Sequence, residues 1–248
     1  RSSPAGPTPA TCARCCSSCS RGGVASPRRG GYNSRPVKVL GISGSPHRHG
    51  NTETLLDAFL DGAREAGGDV DKVVLRYMKY APCEGCNACH KNGVCIIEDD
   101  LIPLFDRILT MDTIGLASPI YTMGITAEMK GFLDRSQFLW AQKYILKTRY
   151  YTREHIHRHK GIFISTAGTG WENVFSSAFP TMTAFFDIVG FEYYDNIIAK
   201  DMDRYHGIRN HPTALTEARE KGGKVVGVVA RLKQGKDSPI GEPFKRGK

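Results

Sequence analysis

The sequence predicts an α/β protein built on a doubly wound parallel sheet of five strands. Two observations carry this. Short apolar runs alternate along the chain with longer stretches whose apolar residues recur at helical spacing. Strands alternating with helices in this way imply βαβ units and a parallel sheet. The alternation occupies one stretch of the 248-residue chain, residues 37–234.

Each element has its own signal. Val37–Ile42 is a continuous apolar run and reads as a buried strand. Thr52–Ala66 follows with Leu55, Leu56, Phe59, Leu60 and Ala63 on one helical face, and Gly67-Gly68 ends it. Val70–Leu75 reads as the second strand, Leu101–Met111 as a helix and Thr113–Ala117 as the third strand. Thr126–Phe138 is helical, Gly161–Thr166 is the fourth strand and Val174–Val189 the next helix. Glu192–Ala199 is the fifth strand and Thr213–Leu232 the last helix. No internal repeat interrupts this order. Five such strands suit a flavodoxin-like sheet, in which ligands sit beyond the carboxyl ends of the strands at the point where strand order reverses.

Composition narrows the classes. Hydrophobic residues make up 40% and charged residues 24%, as in ordinary globular domains. No run approaches the length of apolar chain that spans a membrane, and the N-terminal residues have no apolar core of the secretory type. Cytoplasm is the expected compartment. Six of the nine net positive charges belong to Arg1, Arg14, Arg21, Arg28, Arg29 and Arg35, so the body is only mildly basic and nucleic acid is not expected as a partner. Residues 1–36 are rich in Ser, Gly, Pro and Arg without periodicity and read as a disordered tail, as does the stretch 235–248.

The first strand runs into Gly41-Ile42-Ser43-Gly44-Ser45-Pro46-His47-Arg48-His49-Gly50-Asn51-Thr52. Gly44 and Gly50 allow tight turns. Ser43, Ser45, Asn51 and Thr52 offer short polar side chains, and Arg48 a charge-assisted contact. With the amides of the following helix N-terminus, this set suits a phosphate. The loop matches neither the nucleoside-triphosphatase pattern nor the dinucleotide pattern. A plainer reading is a polar loop in which Asn51 or Thr52 caps the helix.

The cysteines fall in two sets of four. Cys83, Cys86, Cys89 and Cys95, within the loop 81–97, are spaced C-x2-C-x2-C-x5-C. Four thiolates can saturate a [4Fe–4S] cluster or a zinc ion, and three cysteines at two-residue gaps are more typical of iron–sulfur ligation. Free thiols are the remaining alternative. Cys12, Cys15, Cys16 and Cys19 lie in low-complexity sequence and read as unstructured.

Together the loop GISGSPxxxGNT and the cysteine segment resemble the iron–sulfur flavoproteins, a branch of the NADPH-dependent FMN reductase superfamily. The resemblance covers about residues 37–232 and implies that FMN sits on the first loop. It implies a second flavin loop at Pro119, Ile120, Tyr121, Thr122 and Gly124. In the loop after the fourth strand, which departs from the family pattern, the glycines permit close approach of backbone to a ring and make Ala167 and Gly168 flavin candidates, with a plain loop and a packed Trp171 as the alternative. The resemblance also implies a [4Fe–4S] cluster on the four cysteines, NAD(P)H or reduced ferredoxin as electron donor, and a small-molecule acceptor. A homo-oligomer, dimeric or tetrameric, completes the expectation. No side chain is assigned as a general acid or base. The rivals are an NAD(P)H-dependent FMN or quinone reductase without a cluster, and a non-catalytic thiol or metal redox sensor. The basic, aromatic segment Trp140–Lys160 departs from the family pattern. It reads as an oligomer or partner surface, and its trio His155, His157 and His159 only weakly as a metal site.

Overall fold

The structure, a computed structural model, describes residues 35–235. The two terminal stretches and the tail cysteines lie outside the described residues. Among the described residues there are seven strands: β1 (Lys38–Ser43), β2 (Asp69–Val74), β3 (Thr113–Ala117), β4 (Ile120–Tyr121), β5 (Gly124–Ile125), β6 (Lys160–Thr166) and β7 (Glu192–Ala199). Five form one parallel sheet in the order β2-β1-β3-β6-β7. This is the flavodoxin-like order, with its switch point between β1 and β3.

The helices are α1 (Asn51–Glu65), α2 (Cys89–Asn92), α3 (Leu101–Ile108), α4 (Ala127–Asp134), α5 (Gln137–Trp140), α6 (Arg153–Arg158), α7 (Ala178–Val189) and α8 (Ala214–Lys233). Alternation along the strands divides the core. Leu40, Ile42 and Phe163 point to one face and pack against Phe105, Phe132 and Phe186 of α3, α4 and α7. Val39, Ile162 and Ile164 point to the other and pack against Phe59, Val225 and Val229 of α1 and α8. α1 and α8 approach closely because both carry glycine at the contact. A methyl group on Gly62 would lie 1.9 Å from the Arg219 carbonyl, and one on Gly222 2.0 Å from that of Phe59. Among the described residues no helix is long and apolar enough to cross a membrane.

The five predicted strands are all present, two with the predicted bounds and three with one or both ends displaced by one residue. The predicted helix Leu101–Met111 ends at Ile108, the cysteine loop contains the short α2, and three further helix readings change. The predicted helix Val174–Val189 begins at Ala178. Pro180 has no amide hydrogen to donate, so it is tolerated in the first turn and not in the interior. The predicted helix Thr126–Phe138 is split at Arg135–Ser136, where the Ser136 amide bonds back three residues to Leu133 instead of four. The chain resumes as α5 and a π-helical turn, Ala141–Ile145. The third change is that the segment read as a partner surface contains α6. The small hairpin β4–β5 turns through Thr122 and Met123, both left-handed at φ 48° and 62°.

Candidate functional site

Four loops leave the carboxyl ends of the strands and enclose a cavity of about 530 Å³. The loop after β1 contributes Ser45, His47, Arg48, Gly50, Asn51 and Thr52, and the loop after β3 contributes Pro119, Ile120 and Tyr121. Thr166 and Gly168 come from the end of β6, and Met202 and Asp203 from the loop after β7.

The β1 loop is held from several sides. The Ser45 amide donates to Ser43 Oγ (3.4 Å), while Ser45 Oγ accepts from the His47 amide (3.3 Å) in a short side-chain turn. Thr126, which caps α4, donates its hydroxyl to the Gly44 carbonyl at 2.6 Å. The first intrahelical bond of α1 is Thr54 N to Gly50 O, so the amides of Asn51, Thr52 and Glu53 precede the helical ladder. Their partial positive charge is what an anion meets there. The side chains of Asn51 and Thr52 are engaged elsewhere: Asn51 Oδ1 accepts from the Ile208 amide (3.0 Å), and Thr52 Oγ1 bonds Thr166 Oγ1 (2.6 Å). They fasten the helix start to neighbouring loops.

Glu53 adds a second fastening. Its carboxylate accepts from the His49 amide at 2.7 Å and from Lys72 at 3.0 Å. Burial alone would raise its pKa, but Lys72 and the His49 amide outweigh that and hold it below the ordinary carboxylate value. A lowered carboxylate pKa contributes stability that is present above the unfolded value and lost as pH falls through the folded one. Glu53→Gln is therefore expected to flatten the acid limb of stability against pH, as urea unfolding at several pH values would show. A wild-type acid limb in the variant would contradict this.

Of the residues assigned to the flavin site from sequence, Ser45, Arg48, Asn51, Thr52, Pro119, Ile120, Tyr121 and Gly168 line this one cavity. Ser43 and Ala167 are buried and, like Thr122 and Gly124, are not among the lining residues. Sequence reasoning missed His47, Thr166, Met202 and Asp203. The last two follow the fifth strand, so their position at a strand's carboxyl end was the available signal. The glycines after β6 make room for carboxylates. A methyl group on Gly168 would lie 2.6 Å from Asp203 Oδ2, and one on Gly170 2.0 Å from Asp201 Oδ1.

The four cysteines of the 81–97 loop wall a second, smaller cavity of about 120 Å³, completed by His90, Ile96, Arg135, Gln137 and Phe138. Left-handed Gly85 and Asn87 curl the chain between the first three cysteines, and left-handed Gly93 ends α2 before the fourth. Burial pushes the Cys89 thiol up, and the nearby charges of Cys83, Cys95 and Cys86 add to the rise against a backbone hydrogen bond. Among the described residues no three His, Cys, Asp or Glu side chains are gathered as a single metal ion requires. Cysteine thiolates are donors that suit zinc or an iron–sulfur cluster, and all four line this one void.

The start of the Trp140–Lys160 segment clamps this loop. Gln142 donates to the Gly93 carbonyl at 2.7 Å, and the Trp140 ring lies 5.8 Å from that of His90. The histidine trio is divided. His155 and His159 stack at 3.9 Å, whereas His157 meets Glu192. Burial and the neighbouring His159 lower the His155 pKa to about 4.

Residues 37–193 match the NADPH-dependent FMN reductase family, and the chain belongs to it. Its relatives include an iron–sulfur flavoprotein of Methanosarcina thermophila, 34% identical over 113 residues that cover 46% of this chain and 59% of that one. Another, of Archaeoglobus fulgidus, is 39% identical over 99 residues covering 40% and 45%. The resemblance drawn from the β1 loop and the cysteine segment is thereby borne out. The matched stretch spans about half the length of these curated relatives. The fold is shared with an NAD(P)H:quinone oxidoreductase from Methanothermobacter marburgensis (TM-score 0.55, 19% identity, 77% of this chain and 100% of that one). It is also shared with a flavodoxin, WrbA-like protein from Agrobacterium tumefaciens (TM-score 0.51, 13% identity, 80% and 99%).

Proposed function

We propose that this chain is a flavin-dependent oxidoreductase that holds FMN in the 530 Å³ cavity and a [4Fe–4S] cluster on Cys83, Cys86, Cys89 and Cys95, and moves electrons between them. The observation that carries the reading is that one chain has both a phosphate-suited loop opening into a cavity and a separate void walled by four thiols. FMN, when bound, takes up two electrons and releases them singly, and an iron–sulfur cluster carries one.

The chain's own part is binding and orientation. The first-turn amides of α1 and Ser45 receive a phosphate, with Arg48 at the cavity mouth. The half-exposed Tyr121 offers a ring face to a planar group entering between the loops. Gln142 and the Trp140 ring hold the cysteine loop from outside. Self-assembly belongs to the same reading: Tyr121 at the cavity and Met123, two residues on, present exposed apolar surface that a second copy would cover. Ferredoxin or NAD(P)H is the proposed electron source.

The test is anaerobic purification of the full chain followed by FMN, iron and sulfide assays, with optical and EPR spectra. About one FMN and four irons per chain support the reading. FMN without iron, even after cluster reconstitution, would reduce the function to a plain flavin reductase and make nicotinamide turnover the deciding assay.

A further inference from the structure

Arg135 is one of the largest fully buried side chains of the protein, with its side chain 0% exposed. A buried cation is retained only where partners surround it. One terminal nitrogen donates to the Ala81 carbonyl at 2.7 Å and to Asp99 Oδ2 at 2.5 Å. The other donates to the Ile97 carbonyl at 2.9 Å and to Asp99 Oδ1 at 3.2 Å. Ala81 and Ile97 are the two ends of the cysteine loop, so one guanidinium closes the loop like a clasp. Asp99 also receives the Ala81 and Leu101 amides, and these with Arg135 hold its carboxyl below the usual range against the opposing effect of burial.

The third nitrogen is not accounted for by the clasp. Arg135 Nε is buried and has no acceptor among the described residues, although a buried donor without a partner is destabilising. Arg135 also lines the void walled by the four thiols. A clasp alone needs only the two terminal nitrogens.

We propose that Arg135 directs its Nε–H and its charge at the sulfur atoms in the cysteine cavity, and so sets the reduction potential of the cluster bound there. This rests on the reading of the four cysteines as cluster ligands. Reduction adds one electron, and hence one negative charge, to the cluster. A buried cation beside it favours the reduced form and raises the potential, and a donor to sulfur acts in the same direction. Asp99, at the other side of the guanidinium, offsets part of that charge.

The two charges therefore predict opposite shifts. Arg135→Gln should make the cluster harder to reduce, and Asp99→Asn should make it easier. The measurement is anaerobic redox titration of the full-length holoprotein, following the cluster by EPR and FMN by its visible absorbance. Arg135→Gln is expected to raise the oxidised-to-reduced ratio at fixed potential at least tenfold, about 59 mV for a one-electron couple. Asp99→Asn should lower it, with FMN unchanged in both. Arg135→Lys, which keeps the charge but lacks Nε–H, should fall between wild type and Arg135→Gln.

A clasp without tuning gives other results, and each would overturn the proposal. The two main variants would shift together, or stay within about twofold of wild type, or all three would lose iron. If Arg135→Gln alone loses its cluster, the sign of the Asp99→Asn shift decides. Failure of the wild-type chain itself to take up iron would overturn the cluster reading and this inference with it.

Discussion

Replacing Cys86 with alanine is expected to abolish iron binding while leaving FMN content unchanged. Cys86 is the exposed member of the four, so its removal takes away a ligand with little loss of packing. The other three are partly buried and serve less well as probes. Iron and the broad visible absorbance of a cluster should both disappear, from about four irons per chain to near none after reconstitution. The flavin cavity, built from other loops, should retain its occupant. Unchanged iron in Cys86→Ala would mean that the metal is held by other residues. Iron loss together with flavin loss would mean that the two cavities depend on one another for folding.

The second large effect is expected at the other cavity. Ser45 lies at the base of the β1 loop, nearly buried, beside the amide-rich start of α1. Ser45→Asp puts a carboxylate where a phosphate is proposed to sit. Two like charges about 4 Å apart at an effective dielectric near 20 repel by about 4 kcal/mol, with less after screening. A penalty of about 2–4 kcal/mol weakens binding roughly 30- to 700-fold. Ser45→Ala, which removes only the short side-chain turn, should cost far less. Fluorescence titration of the apoprotein with FMN separates them. Equal affinity of the two variants would place the phosphate away from this loop.

The fold was legible because the signals that define it are local and repeated. Apolar runs such as Val37–Ile42 and Thr113–Ala117 are long enough to name a buried strand, and the periodic apolar face of 52–66 names a helix. Helix ends were less legible. Pro180 sets the start of α7 at Ala178, but the periodicity of 174–189 continues through it and hides the boundary. The break at Arg135–Ser136 coincides with a side chain drawn onto the ends of the cysteine loop, contacts with residues 54 and 38 positions away in sequence. The same limit applies to the sites. The β1 loop and the cysteine spacing are contiguous motifs and could be read directly. Asp203, Met202 and Arg135 reach their cavities only through tertiary contacts, and no spacing rule places them there. The glycines after β6 leave room for the carboxylates of Asp203 and Asp201, residues more than thirty positions further along the chain, and no local pattern shows that contact.

The β4–β5 hairpin beside the cavity proposed for FMN bears on laboratory evolution. Its two turn residues are left-handed, a conformation that Asn-Gly adopts with ease and that a β-branched residue adopts only with strain. The chain nevertheless has Thr122 and Met123 there, with the Ser177 hydroxyl bonded to the Met123 carbonyl. Selection for survival of heat alone would drift toward Asn-Gly at these two codons. Selection for turnover would hold the present pair if the strained turn is what keeps Tyr121 at the cavity mouth. Comparing the sequences that emerge from the two regimes therefore measures how far this enzyme's durability and its activity are opposed at a single bend of the backbone.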